Sequence, residues 1–227
     1  QALAYHDLLV GLSARLQARQ ALDVALERWP GDPEVHDRLR KDVLRERRLA
    51  DLTRTYDDLL AEPGASPELW WHAGQAAVTV AEFHRRRGRS ELARDAYARA
   101  AEHFEADIAA FPELREESDR AVAQTLAGQA RLSLLSQDNA GALAELLAAW
   151  DRAPDAAGDL DGLNLSGIDT AKMLLARFRD AQDSESVTRL ERALAALPAE
   201  QLEKPAFETE RDADGNPVPM RPSTWGR

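Results

Sequence analysis

The stretch G-R-S-E-L-A-R-D-A-Y-A-R-A at residues 88–100 decides the predicted fold of this chain. Gly88 is a residue type that ends helices, and the serine two positions later is one of the types that cap the next helix. Ala93, Tyr97 and Ala100 then recur at spacings of four and three, which places them on one face of an α-helix. The stretch therefore predicts a turn followed by the second helix of a helical hairpin.

The composition of the whole chain agrees with a helical fold. Ala, Leu, Arg, Glu and Asp dominate, whereas β-branched and aromatic residues are sparse. The net charge of −11 argues against a general nucleic-acid binder, because phosphate would be repelled over most of the surface. The chain has no cysteine, so it has neither a disulfide framework nor a thiolate metal site. No apolar run approaches the roughly 20 residues that span a bilayer.

Two short segments that are typical of helix starts lie 34 positions apart. They read D-P-E-V at 32–35 and S-P-E-L at 66–69, and each offers a polar cap, a proline at the first helical position and an early glutamate. Proline–glycine pairs at 30–31 and 63–64 precede them and are predicted to stop the preceding helices. Two helices fit between successive stops, so the predicted repeat is a hairpin of about 34 residues. Three later prolines continue the pattern at longer intervals: Pro112, Pro154 and Pro198.

The spacing of small and aromatic residues resembles that of the tetratricopeptide repeat (TPR) family. The pattern of that family has Leu-Gly and Tyr on a first helix, then Ala, an aromatic residue and Ala on a second helix, then Pro. The resemblance covers roughly residues 2–198. The longer later units are similar to the variant of about 42 residues found in kinesin-light-chain-like proteins. The resemblance is most specific in the third repeat, where it rests on Ala77, Val80, Ala81, His84, Gly88, Ala93, Tyr97 and Ala100.

The resemblance implies an all-α protein whose residues 1–200 form an α-solenoid of about five antiparallel helical hairpins. The first helix of the third repeat is expected to span about 67–87. An Asp- and Gly-rich insertion at about 155–167 interrupts the array between the fourth and fifth hairpins. Residues 201–227 are a Pro-rich tail, for which two alternatives stay open. The tail is either disordered or an extended segment that docks through Phe207, Met220 and Trp225.

The sequence carries no recognisable catalytic motif. Its five histidines form no H-E-x-x-H pair, and there is no nucleophile elbow, P-loop or dinucleotide-binding glycine motif. The segments D-L-D-G at 159–162 and D-A-D-G at 212–215 look like the start of a calcium loop. Counted from Glu210, position twelve of the second loop is Arg221, which has the wrong charge for a calcium ligand, so plain turns are predicted. We expect a non-enzymatic protein with no cofactor and no metal.

The TPR resemblance also implies which side chains line a concave groove. In that family the first helix of each repeat faces the groove, and the matching positions here make the middle of the groove basic in an otherwise acidic protein. A basic groove favours an acidic peptide or a C-terminal carboxylate. The alternative is that these arginines lie near helix C-termini, where the helix dipole favours cations. The predicted groove residues are Arg40, Lys41, Leu44, Arg47, Gln75, Val78, Thr79, Glu82, Arg86, Gln124 and Arg131.

Two tryptophans are predicted surface anchors. Trp70 and Trp71 are adjacent on a predicted helix, and adjacent residues point about 100° apart, so only one of them can face the core fully. We assign the contact surface to Trp71. Trp225 in the tail is the second predicted anchor, because exposed tryptophan is enriched where proteins bind partners.

These patterns predict a protein–protein interaction scaffold that captures a partner segment, with an acidic peptide as the favoured partner. A self-associating structural subunit that uses the repeat ends and the tail is the alternative, so a homo-oligomer stays open. A third class is an enzyme with a divalent metal bound by the Asp-rich loops. No nucleic-acid partner and no membrane span are expected. The chain starts at Gln1 without a signal-type segment, which predicts a trimmed piece of a longer bacterial protein in the cytoplasm or the periplasm.

Overall fold

The computed structural model describes residues 2–46 and 49–203, and it is helical throughout these ranges, without a strand. The predicted all-α class is confirmed. Arg47 and the tail beyond residue 203, including Phe207, Met220 and Trp225, lie outside the described residues. The helices are α1 (Ala2–Gly11), α2 (Arg15–Arg28), α3 (Pro33–Glu46), α4 (Leu49–Ala61), α5 (Leu69–Arg86), α6 (Ser90–Ala110), α7 (Arg115–Leu135), α8 (Asn139–Arg152), α9 (Gly167–Asp180), α10 (Ser184–Ala195) and α11 (Ala199–Glu203), with 3-10 turns at Pro112–Leu114 and Pro154–Ala156.

The helices pack against their neighbours in the chain. Contacts are most extensive between α7 and α8, between α6 and α7, and between α1 and α2. The described residues fall into two compact units, residues 2–76 and residues 77–203, which we call the N-terminal and C-terminal units. Each unit has its own buried residues and its own polar cluster.

Helix boundaries follow the local rules in most places. Pro33 is the first residue of α3, and the Glu34 amide donates to Oδ1 of Asp32 over 2.8 Å, so the predicted cap is present. Gly64 and Gly88 have φ angles of 82° and 68°. This left-handed conformation strains residues that have a Cβ, and it ends α4 and α5 where the sequence predicts a stop.

Two predicted boundaries are wrong. α5 spans Leu69–Arg86 and therefore begins two residues after Pro67. Residues 66–69 form a turn instead, in which the amide of Leu69 donates to the carbonyl of Ser66. The second concerns Ser90, which is the first helical residue of α6 and not its cap. Arg89 occupies the cap position and makes no side-chain bond to the helix.

The core of the C-terminal unit is built from small and large side chains that alternate between facing helices. Ala130, Ala142 and Ala149 are almost fully buried between α7 and α8, and their size lets the two helices approach closely. The same core continues through α9 and α10 by way of Leu146, Trp150, Leu174, Phe178 and Leu190. A second cluster joins Ala81, Ala93, Tyr97 and Leu132.

The N-terminal unit is buried along one side of each of its helices. Leu22, Val35, Leu39 and Leu52 have no exposed surface, and Tyr56 is buried beside them. Along the described part of the chain, no helix combines the length and the apolarity that crossing a membrane requires.

The ring of Tyr97 on α6 packs against Gly128 on α7. A Cβ placed on Gly128 would lie 2.5 Å from Cζ of the Tyr97 ring, which is far inside van der Waals contact. Glycine at this helix position therefore makes room for the tyrosine ring.

We predict that Gly128→Ala destabilises the protein by about 1–3 kcal/mol in urea unfolding, because the buried ring must move. The helix propensity of alanine acts in the opposite direction by about 1 kcal/mol. The control is Gly11→Ala, where no atom lies within 4 Å of the new Cβ. A Gly128→Ala protein as stable as the wild type would contradict this packing.

Candidate functional site

An aspartate in the predicted insertion is bound by two buried arginines of the C-terminal unit. Oδ2 of Asp161 accepts a hydrogen bond from Nη2 of Arg85 over 2.5 Å and a second one from Nη1 of Arg131. Arg85 lies near the end of α5 and Arg131 lies on α7, and both side chains are at most 5% exposed. Charge-assisted bonds of this kind are about twice as strong as neutral ones.

Arg131 uses all of its nitrogen atoms to hold the insertion. Its Nε donates to Oγ1 of Thr170 on α9 over 2.8 Å, and its Nη2 donates to the carbonyl oxygen of Leu165 over 2.8 Å. Because the guanidinium is rigid and planar, these bonds fix the loop relative to α7 and α9. We call residues 158–166 the insertion loop.

Asp161 also organises the backbone of the insertion loop. Its Oδ1 accepts from the amides of Leu163 and Leu165 over 2.9 and 3.0 Å. The first of these bonds is an Asx turn, so the turn predicted at D-L-D-G is present. One carboxylate thus shapes the loop with one oxygen and anchors it with the other.

Glu82 on α5 is a second carboxylate in the same place. It is buried, and its Oε1 accepts from the amide of Gly162 over 2.9 Å. Burial, and then the neighbouring charge of Asp161, raise the pKa of Glu82 to about 7. We call Glu82, Arg85, Arg131 and Asp161 the ionic cluster.

A small cleft lies beside the ionic cluster, between α7, α8 and the insertion loop. Its cavity volume of about 10 Å³ is room for roughly one water molecule. Alanines form much of its wall, and Gln124, Arg131 and Trp150 also line it. The indole nitrogen Nε1 of Trp150 is buried without a hydrogen-bond partner among the described residues.

A different polar cluster lies in the N-terminal unit and consists of His36, Arg40, Tyr56 and His72. The imidazoles of His36 and His72 stack with centroids 3.9 Å apart. Nε2 of His36 donates to the carbonyl oxygen of Pro30 over 2.5 Å, which leaves Nδ1 to accept from the hydroxyl of Tyr56 over 2.8 Å. We call these four residues the histidine cluster.

Burial keeps both imidazoles uncharged at neutral pH. It lowers the pKa of His36 to about 3, with the neighbouring imidazole of His72 adding to the effect. It lowers the pKa of His72 to about 4, and here the charge of Arg40 is the second cause. Burial also raises the pKa of Tyr56 to about 12. The histidine cluster thus consists of three uncharged rings, those of His36, Tyr56 and His72, and the guanidinium of Arg40.

Arg40 has a buried side chain, as Arg85 and Arg131 do. Its Nη1 has no hydrogen-bond partner within the described residues, which is also true of Nη1 of Arg85. A buried guanidinium with an open donor is unfavourable until an acceptor reaches it. Among the predicted groove residues that the structure describes, Arg40 thus has a buried donor that is left open.

The other predicted groove residues divide between the two units. Lys41 and Leu44 are exposed on α3 one and four positions beyond Arg40, and Nζ of Lys41 lies 2.5 Å from Oδ2 of Asp37. The structure brings Glu82 and Arg131 together, but it does so around Asp161 of the same chain. The remaining groove positions are half-buried (Gln75, Val78 and Thr79) or exposed (Arg86 and Gln124). Trp71, the predicted surface anchor on α5, is half-buried.

Sequence reasoning missed the partners of the buried arginines. The D-L-D-G segment indicates a turn, and nothing in its local pattern shows that Asp161 contacts residues 30 and 76 positions away. The available signal was charge complementarity between an acidic insertion and arginines on the preceding helices. Across residues 2–46 and 49–203, no group of three or more His, Asp or Glu side chains is placed to hold a metal ion.

No protein-family model matches this chain, and no curated protein is similar enough to it to count as a relative.

We predict that acid destabilises the N-terminal unit. The pKa values of His36 and His72 are lower in the folded protein than the usual 6.5, so unfolding takes up protons. The contribution of the two histidines to the stability of this unit is complete above pH 6.5 and falls toward pH 4, by at most about 1.4 kcal/mol per histidine and pH unit. Hydrogen exchange of the α3–α4 segment at pH 7 and pH 5 measures the loss.

His72→Gln reduces this pH dependence, because glutamine can still donate to the carbonyl of Gly31 but does not titrate. His103→Gln is the matched control, since His103 belongs to the C-terminal unit. Equal pH dependence in the wild type and in His72→Gln would show that the imidazole does not titrate as described.

Proposed function

We propose that this protein is a non-enzymatic protein–protein interaction module, built as a solenoid of TPR-like hairpins, that binds an acidic segment of a partner protein. Two features support the solenoid: the helices pack as adjacent pairs, and their boundaries follow the punctuation that resembles TPR repeats. The binding surface is the face of α3 that carries Arg40, Lys41 and Leu44.

The observation that carries this proposal is the open donor of Arg40. Arg85 and Arg131 meet a carboxylate of their own chain, and Arg131 is bonded through all of its nitrogens. Arg40 is buried to a similar degree, and its Nη1, like that of Arg85, has no acceptor in the part of the chain that is described. A carboxylate from a partner would supply that acceptor, and charged hydrogen bonds contribute about 1.5–3 kcal/mol each.

The neighbours of Arg40 add charge and apolar contact. Lys41 and Leu44 are both exposed and lie three positions apart on one face of α3, and Leu44 is also four positions beyond Arg40. The side chain of Leu44 is 37% exposed and offers an apolar edge next to the cations. This combination fits an acidic segment that also contains an apolar residue.

Self-association is the second candidate, and exposed apolar side chains on α1 favour it. Tyr5, Leu8 and Leu12 follow one another at spacings of three and four, and each is more than half exposed. These spacings place them on one face of the helix. A contiguous exposed apolar patch is typical of a surface that another protein covers.

We predict that synthetic acidic peptides bind the full chain through Arg40. Fluorescein-labelled peptides rich in Asp, Glu and one apolar residue are titrated in fluorescence polarisation, with the Asn and Gln versions of the same peptides as controls. Arg40→Gln weakens binding about 10-fold or more, which corresponds to about 1.4 kcal/mol. Lys41→Glu weakens it as well, without touching the buried cluster.

The matched control is Arg54→Gln, which removes the same charge from an exposed side chain on α4. Circular dichroism confirms that each variant is folded before binding is compared. Equal loss of binding in Arg40→Gln and Arg54→Gln, or equal binding of the acidic and amide peptides, would falsify the proposed site. If acidic peptides do not bind and the mass in light scattering rises with concentration, self-association replaces this proposal.

A further inference from the structure

In the docked insertion loop, the carboxyl group of Asp161 lies near that of Glu82 on α5. The amide of Gly162 donates to Glu82, and the preceding residue, Asp161, binds both arginines of the cluster. Every member of the ionic cluster is buried or nearly so. In such surroundings two carboxylates repel strongly, and each one strains the other when both are ionised.

We propose that the insertion loop is a proton-sensitive latch, held most firmly on α5 and α7 while Glu82 carries a proton and opening more readily once Glu82 ionises. The latch lies within the C-terminal unit and does not depend on the proposed partner site of Arg40. When it opens, Arg85 and Arg131 lose their carboxylate and become accessible cations.

Four charged or titratable groups face Glu82, one from each element packed around it. Arg85 is one turn further along α5, Arg131 comes from α7, Asp161 comes from the loop, and Tyr97 comes from α6. Burial raises the pKa of Tyr97 above its usual value, so the phenol stays neutral at physiological pH. Asp161 disfavours ionisation of Glu82, whereas the two arginines and the Gly162 amide favour it.

One buried hydrogen-bond donor of the ionic cluster has no acceptor while the loop is docked, and this lowers the free energy that opening requires. Nη1 of Arg85 is buried and has no hydrogen-bond partner among the described residues. An unsatisfied buried donor costs about 1–3 kcal/mol relative to its hydrated state. Water reaches this donor when the loop leaves.

The direction of the pH dependence follows from the carboxyl of Glu82. Its pKa is about 7 in the docked state and returns toward the usual 4.5 when the loop opens and water reaches it. Opening therefore releases a proton and becomes easier as the pH rises between these two values. Above pH 7 both states are ionised and the opening constant levels off.

Hydrogen exchange resolved to single amides by NMR tests the latch in the full chain. The reporters are the amides of Gly162, Leu163 and Leu165, which bond to Glu82 and Asp161 in the docked loop. After correction for the intrinsic pH dependence of exchange, their opening constant rises on the order of 100-fold between pH 5 and pH 8. Glu82→Gln, which keeps an acceptor for Gly162 but does not titrate, makes the profile flat.

The control is Glu145→Gln on α8, which removes a carboxylate that pairs with Arg94 and Ser133 in the same unit. This variant retains the pH profile of the wild type. A flat wild-type profile overturns the latch, and so does a Glu82→Gln profile that rises like that of the wild type. Neither outcome bears on peptide binding through Arg40, because that assay concerns the N-terminal unit.

Discussion

The bond between Arg131 and Asp161 is the interaction on which the C-terminal unit depends. It joins α7 to the insertion loop, and the same guanidinium reaches on to Thr170 of α9. The remaining contacts of the loop follow from it, because Asp161 also fixes the backbone of Leu163 and Leu165. The loop between α8 and α9 is thus tied to both α7 and α9.

Buried ion pairs do not stabilise a fold merely because they are present. Removing two charges from water costs several kcal/mol per ion, and only good geometry with further hydrogen bonds recovers it. The ionic cluster meets this condition at Arg131 but not at Arg85, whose Nη1 stays open, and Glu82 resists ionisation. In the histidine cluster the imidazoles of His36 and His72 are uncharged, so Arg40 is the group whose charge is removed from water. We therefore connect the opening of the loop with Glu82, and partner binding with Arg40.

The sequence allowed the helices to be predicted but not the clusters. Stops at Gly64 and Gly88, and the start at Pro33, depend on backbone geometry that a few adjacent residues determine. The ionic cluster depends on contacts between residues 30 to 80 positions apart, which local patterns do not encode. Positions carried over from the TPR resemblance include Glu82, Arg131 and Arg40 as residues that line a partner-binding groove, and that role stays a prediction. They could not show that the chain itself supplies the carboxylate for Arg131.

A double-mutant cycle between Arg131 and Asp161 tests the central claim most directly. The free energies of unfolding of Arg131→Met, Asp161→Asn and the double variant are compared with that of the wild type by urea denaturation. Our account predicts that the two single changes are each strongly destabilising and that the double variant loses much less than their sum. The coupling energy is then about 2 kcal/mol or more. Additive losses, with a coupling below about 0.5 kcal/mol, would contradict the account and show that the loop is held by other contacts.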